Sequence, residues 1–174
     1  MRVLIAGRRD IIKNIPNQLH ALAQANEVTP VQVALCIKGD AEPFRDLCQA
    51  LKLPFREHPW GSVEHFRQWI ATEIDLAMCC SYSETFCYVA ADCMQLGIPV
   101  IGSHCVPVVH PEMRRHPDSI SDIAALVCDT VRHYRDRSRK AVDRFAEIQT
   151  RNNREWLSTI RKLLGNAIAA RGDY

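Results

Sequence analysis

The chain has 174 residues, 47% apolar and 24% charged, with a formal net charge of +2 and a pI of about 8.1. That length suits one domain, residues 1–174, with a sizeable core. The near-balanced charge is too weak to argue for a nucleic-acid binder, where a strongly basic face is expected.

In chain order, apolar runs alternate with helical patterns. Val3–Ala6 reads as a first strand. Ile15–Gln24 has helical spacing, with Leu19, Leu22 and Ala23 on one side. Val31–Ile37 is a second strand. Asp40 is placed to cap a helix through Phe44, Leu47, Cys48 and Leu51, with Pro43 in its first turn. Phe55–His58 is a short third strand. Ser62 caps a helix carrying Val63, Phe66, Trp69 and Ile70. Ile74–Cys80 and Pro99–Gly102 are the fourth and fifth strands, with a helix between them that opens near Glu84 and ends at Gly97-Ile98-Pro99.

From Ser119 onward the chain reads as mostly helical. Ile120, Ile123, Leu126, Val127, Val131 and Tyr134 form one stripe, and Phe145, Ile148, Trp156, Leu157, Ile160, Leu163 and Leu164 form further ones. Acidic and basic residues interleave from Arg132 to Arg171, as on a solvated helical surface. Near-continuous apolar strands alternating with helices imply a parallel sheet covered on both faces. The expected fold is α/β, a doubly wound, Rossmann-like sheet with a helical C-terminal segment.

No run approaches the ~20 apolar residues of a membrane span. MRVLIAG lacks the make-up of a signal peptide, so a cytoplasmic chain is expected. The eight cysteines, at 36, 48, 79, 80, 87, 93, 105 and 128, include no Cys-x-x-Cys pair and no grouping with zinc-ligand spacing. They read as reduced, mostly buried thiols. His104, His110 and His116 read as surface or loop-packing residues, and no metal site is expected.

In doubly wound folds ligands bind beyond the carboxyl ends of the strands. After the first strand comes Gly7-Arg8-Arg9-Asp10, then Lys13-Asn14 before a helix. Cations there, beside a helix N-terminus, suit an anion such as phosphate, and equally suit a solvated basic loop. The absence of GxGxxG and GxxxxGK[ST] argues against ordinary NAD binding and P-loop chemistry. After the fourth strand comes Ser81-Tyr82-Ser83-Glu84-Thr85-Phe86-Cys87. Glu84 can accept hydrogen bonds from substrate hydroxyls or simply cap the helix. Asp92, about 12 Å further along if every intervening residue were helical, can grip a diol or be a partnered acid.

Taken together, these segments resemble the donor-binding, C-terminal domain of GT-B-fold glycosyltransferases, in particular the large retaining family-4-like group. The resemblance runs roughly from Val3 to Leu164. Its pieces are Gly7-Arg8…Lys13-Asn14, the IDLAMCCSYSETF segment, and Asp92-Cys93-Met94-Gln95-Leu96-Gly97-Ile98-Pro99-Val100-Ile101, with Asp40 and Trp156 matching in kind.

The resemblance implies that Arg8 and Lys13 neutralise the diphosphate of a nucleotide-sugar (NDP-sugar) donor, and that the backbone of Thr85, Phe86 and Cys87 binds the same group. It implies that Glu84 contacts the donor sugar and that Asp92 binds the ribose. Trp60, in Pro59-Trp60-Gly61, lies where the family passes close to the base. It stacks on that base or packs. No cofactor or metal is implied. The chain departs from the family's Glu-x7-Glu by carrying Asp92, and from its glycines by carrying Thr85 and Cys87; the stretch from Gly102 to Pro117 lacks the usual glycine pair.

The implied reaction of the complete enzyme is transfer of a hexose from the NDP-sugar to a hydroxyl, with retention of configuration. The acceptor is held mainly by another domain, so turnover by this chain alone is not expected. A separate acceptor-binding domain or chain is an expected partner, and a homodimer is a further one. The alternative is a non-catalytic Rossmann-like module that binds a nucleotide or a protein. A flavodoxin-like receiver would need acids where Arg8 and Arg9 stand and an aspartate where Pro59-Trp60 stand.

Overall fold

The computed structural model describes residues 1–169. Six parallel strands form one sheet: β1 (Arg2–Arg8), β2 (Gln32–Lys38), β3 (Phe55–Glu57), β4 (Leu76–Cys79), β5 (Val100–Ser103) and β6 (Arg114–Arg115), in the order β3-β2-β1-β4-β5-β6. This is the doubly wound arrangement expected from the alternating pattern.

The helices are α1 (Ile15–Asn26), α2 (Glu42–Ala50), α3 (Val63–Glu73), α4 (Tyr88–Gln95), α5 (Ile120–Arg132) and α6 (Tyr134–Ala169). α1 packs with α2 and α5, whereas α4 packs with α3 and α6, which makes two helical layers. Val3, Leu4, Ile5, Leu35, Leu76, Met78 and Ile101 fill the space between them with almost no exposure. Strands buried on both faces need apolar side chains pointing both ways, which explains the unbroken apolar runs.

The caps follow local chemistry. Ser62 Oγ accepts from the His65 N–H at 3.2 Å and starts α3. Asp40 stands one residue before the cap of α2, which is Ala41; its Oδ1 still accepts from the Glu42 N–H at 2.8 Å. Gly97, just beyond the Leu96 cap of α4, turns the chain away with a φ of +74° that suits glycine. The Ile98 N–H reaches Cys93 O and the Gly97 N–H reaches Met94 O, closing the last turn.

Two expectations are corrected. β6 was not foreseen: two arginines carry no apolar run, and only pairing with β5 makes them a strand. Trp156 and Leu157 are exposed rather than core, because α6 buries its face only as far as Ile148. The side chains of Leu163 and Leu164, and all of Arg171, lie outside the described residues. Six cysteines are buried, Cys128 is half-buried, Cys105 is exposed, and all are free thiols.

Candidate active site

The strand order reverses direction between β1 and β4, and in such sheets the crevice beyond that point receives the ligand. A cavity of about 310 Å³ opens there. Its wall includes Gly7 and Arg8 from the end of β1, Lys38 from the end of β2, Cys79 and Ser81 from the end of β4, and Lys13, Trp60, Glu84, Phe86 and Cys87 from the following loops.

The loop after β1 is built to deliver Lys13. Asp10 caps a single 3₁₀ turn, Ile11–Lys13, by accepting from the Lys13 N–H at 3.2 Å. Asn14 then takes a left-handed conformation, φ 52°, that turns the chain into α1. Asn14 is almost wholly buried and donates through Nδ2 to Cys80 O at 3.1 Å and Pro117 O at 2.8 Å. It thereby ties three loops together under the cavity. Gln18 adds to this tie, donating to Lys13 O at 2.7 Å and accepting from the Cys80 N–H at 3.3 Å.

Lys13 Nζ donates to Glu84 Oε1, and Ser81 Oγ donates to the same oxygen at 3.2 Å. Burial works against the Lys13 ammonium, but the hydrogen bond and charge of Glu84 outweigh it and raise its pKa above the ordinary value. Arg8 is left mostly in solvent, its Nε 3.8 Å from Asp10 Oδ2.

The structure brings Arg8, Lys13, Glu84, Phe86, Cys87 and Trp60 to one cavity. It does not bring Thr85 or Asp92 there. Thr85 is exposed outside the wall. Asp92 Oδ1 instead accepts from Arg67 Nε at 2.9 Å and Arg67 Nη2 at 2.6 Å. The reason is that residues 84–87 are loop: α4 begins at Tyr88, so Glu84 is not at the helix mouth and the helical spacing to Asp92 does not hold. The free N–H groups of the first turn of α4 accordingly belong to Tyr88, Val89 and Ala90 rather than to Thr85 and Phe86.

Lys38 was missed, although it had a signal: it closes the second apolar run and lies in register with Arg8. Three cations, Arg8, Lys13 and Lys38, therefore share the cavity wall with one carboxylate, Glu84, which Lys13 holds. An excess of positive charge beside a helix N-terminus attracts a phosphate-bearing ligand. Trp60 is partly exposed at the cavity wall. Phe86 and Tyr88 meet edge to face at 5.1 Å at its mouth. His110 and His116 act locally, each accepting through Nδ1 from a backbone N–H two residues on at 3.3 Å.

Residues 2–115 match the family model described as glycosyl transferases group 1. No curated protein matches the chain by sequence. Among solved structures, the chain resembles the catalytic domain of cholesterol-α-glucosyltransferase from Helicobacter pylori, with a TM-score of 0.74 and 14% identity over 86% of this chain and 98% of that one. It resembles sucrose-phosphate synthase from Thermosynechococcus elongatus with a TM-score of 0.77 and 19% identity, covering 94% of this chain and 45% of that one. It resembles HepE of Anabaena, solved with UDP and glucose, with a TM-score of 0.75 and 16% identity over 92% of this chain and 48% of that one. At these identities the structural likeness is one of fold. The chain spans under half the length of the latter two proteins.

Proposed function

We infer that the cavity holds the diphosphate of a nucleotide-sugar donor, because the chain belongs to the glycosyl transferases group 1 family and Arg8, Lys13 and Lys38 converge on that cavity at the ends of β1 and β2. This convergence of three cations is the observation that carries the reading. In the reaction, the bond from the sugar anomeric carbon to the diphosphate oxygen breaks, an acceptor hydroxyl oxygen bonds to that carbon, and the hydroxyl proton passes to the departing diphosphate. Negative charge then grows on the departing phosphate, and cations fixed beside it lower the barrier. These side chains supply the charge, so no cofactor is invoked.

Glu84 lies beside the phosphate cations and would contact the sugar once the diphosphate draws Lys13 away. Amides of the loop through Thr85, Phe86 and Cys87, with those of the first turn of α4, would complete the phosphate cradle. Trp60 would stack on the base at the wall next to Lys38. Asp92 would reach the ribose only after leaving Arg67. The transferred group would be a hexose, with retention of configuration. The acceptor hydroxyl would be presented by a second domain or chain across the open side of the cavity, with turnover depending on that partner; a second copy of this chain is the other candidate for that face.

A non-catalytic nucleotide- or protein-binding module is the second reading. It is favoured by one observation: both acids that would hold the sugar and ribose are already paired within the chain, Glu84 with Lys13 and Asp92 with Arg67.

The test is calorimetry with UDP, GDP and ADP, and with their sugars. Micromolar binding of one diphosphate, about −8 kcal/mol, abolished by Arg8→Ala, is the expected result. Absence of heat with all of them would overturn the donor-site reading. Binding without any sugar preference, unaffected by Glu84→Gln, would favour the second reading.

A further inference from the structure

One half-buried titratable side chain has no part in the donor site described so far. His58 follows β3 directly and opens the Pro59-Trp60-Gly61 turn that carries Trp60 to the cavity wall. Its ring stacks on Trp69 of α3, with centroids 3.8 Å apart and planes 3° from parallel. It also stacks with His65, one turn earlier on α3, at 5.3 Å and 13°.

We propose that His58 is a positioning residue for the nucleotide base: its neutral ring, stacked with Trp69 and His65, sets the turn that presents Trp60 to the base, and protonation of the ring releases that turn. This role rests on the donor-site reading, in which Trp60 meets the base.

Little else fixes the turn. The His58 N–H donates to Leu35 O at 2.8 Å, and Ser62 Oγ accepts from the His65 N–H at 3.2 Å. Between those points residues 59–61 form no hydrogen bond among the described residues. Gly61 passes close to His65, where a Cβ would stand 3.8 Å from the His65 Cδ2. The path of Trp60 therefore follows the ring stack. Phe66 and Trp69 pack against the core, so the stack is anchored to the domain.

The surroundings of His58 favour the neutral ring. Its Nε2 is buried and has no hydrogen-bond partner among the described residues. With the proton on Nδ1, that nitrogen is an idle acceptor; protonation puts a donor there with nothing to receive it, which costs more. The cavity beside the ring holds Asp40, Arg45 and Glu57, but Asp40 is taken by Arg9 and Glu57 by Arg45, and β2 contributes Leu35 and Ile37. From α3 the ring meets Trp69, whose face favours a cation, and His65, whose charge opposes one. Burial, with His65, holds the His58 pKa below the ordinary 6.5. Presentation of Trp60 is therefore complete at neutral pH and is lost as pH falls through that lowered value.

The experiment is calorimetry on the whole chain with UDP, GDP and ADP, and with inorganic pyrophosphate, which has the diphosphate without the base. His58→Phe keeps an aromatic ring in the stack and removes the titration. At about pH 7, His58→Phe should bind the preferred nucleoside diphosphate as the wild type does. His58→Ala and Trp60→Ala should each weaken it by about fivefold or more, and adding His58→Ala to Trp60→Ala should cost nothing further. Pyrophosphate affinity should be unchanged in both His58 variants. At about pH 5 the wild type should lose about threefold or more relative to His58→Phe, for the nucleotide and not for pyrophosphate. Amide exchange from Trp60 to Ser62 should quicken at that pH in the wild type and not in His58→Phe. Equal losses for pyrophosphate and nucleotide, a His58→Phe profile that follows the wild type, or additive effects of His58→Ala and Trp60→Ala would overturn the role of His58. A wild type that binds no diphosphate at all would instead overturn the donor-site reading, and this role with it.

Discussion

Two carboxylates eight residues apart in the chain end up in different situations, and both are held by a cation. Glu84 is 10% exposed and its partner Lys13 is 22% exposed, both on the cavity wall. Asp92 is 12% exposed, but its partner Arg67 is 53% exposed on α3, away from that wall. The difference shows how a loop breaks a helical count. With residues 80–87 irregular, Glu84 follows the end of β4, whereas Asp92 follows the turn of α4 and faces the neighbouring helix. The cavity pair is sheltered from water and braced by Ser81, Asn14 and Gln18, whereas the Asp92–Arg67 pair is open to salt on its cationic side.

If that contrast is right, disrupting the brace has the largest effect. Asn14→Ala leaves the carbonyls of Cys80 and Pro117 without their donor and puts alanine at φ 52°. Urea denaturation should show a loss of about 3 kcal/mol, with Asn14→Gly recovering roughly the backbone share, about 1 kcal/mol. An unchanged midpoint for Asn14→Ala would mean the loops do not depend on one another.

Next in size is the cavity pair. Lys13→Ala leaves Glu84 mostly buried beside Ser81 without a cation, and should cost about 2 kcal/mol. The Lys13→Ala, Glu84→Gln double variant should recover most of that, and a double-mutant cycle reads the difference. The Lys13 pKa is raised by Glu84, so the stabilisation is fully present below the ordinary lysine value of 10.5 and is lost as pH rises through the higher folded value. Nucleotide binding supplies a sharper contrast. Lys13→Ala should weaken diphosphate binding at least about tenfold, or 1.4 kcal/mol. Glu84→Gln should leave it intact or tighten it, since a negative charge beside the phosphates is removed. A tenfold loss in Glu84→Gln would mean that Glu84 touches the nucleotide directly.

A third pair, at the opposite end of β1, is a reference outside the cavity. Arg2 donates from its backbone to Asp75 Oδ2 at 2.7 Å and from Nη2 to Asp75 Oδ1 at 3.2 Å. Partial burial opposes ionisation of Asp75, but the Arg2 hydrogen bonds and charge prevail and hold its pKa below the ordinary 3.8. Its contribution is therefore present above pH 3.8 and is lost as pH falls through the depressed folded value. Asp75→Asn should flatten the acid limb of the stability curve by under about 1 kcal/mol after solvent screening, leaving the alkaline limb to Lys13. The smallest effect belongs to the Asp92–Arg67 pair. Asp92→Asn and Arg67→Ala should each change diphosphate affinity by less than about threefold, because neither residue lines the cavity. A larger loss in Asp92→Asn would place the ribose on this carboxylate and erase the distinction between the two acids.

Much of this arrangement was legible in the residues. The apolar runs at Val3–Ala6, Val31–Ile37 and Ile74–Cys80 mark strands because a strand buried on both faces needs apolar side chains throughout. Arg8 and Lys13 stood out because cations at a strand end beside a helix start suit an anion, although their spacing alone suits a solvated basic loop as well. Lys38 was equally visible at the end of its strand, but its position next to Arg8 depends on the β1–β2 register. β6 was invisible because a two-residue basic strand exists only through its neighbour.

What the sequence alone determined is the order of the elements and the sign of charge at the strand ends, since periodicity and side-chain chemistry are local properties. Which charges meet was decided by the tertiary structure. Lys13 and Glu84 are far apart in the chain and meet because β1 and β4 pair side by side; Asp92 meets Arg67 because α3 and α4 share one face of the sheet.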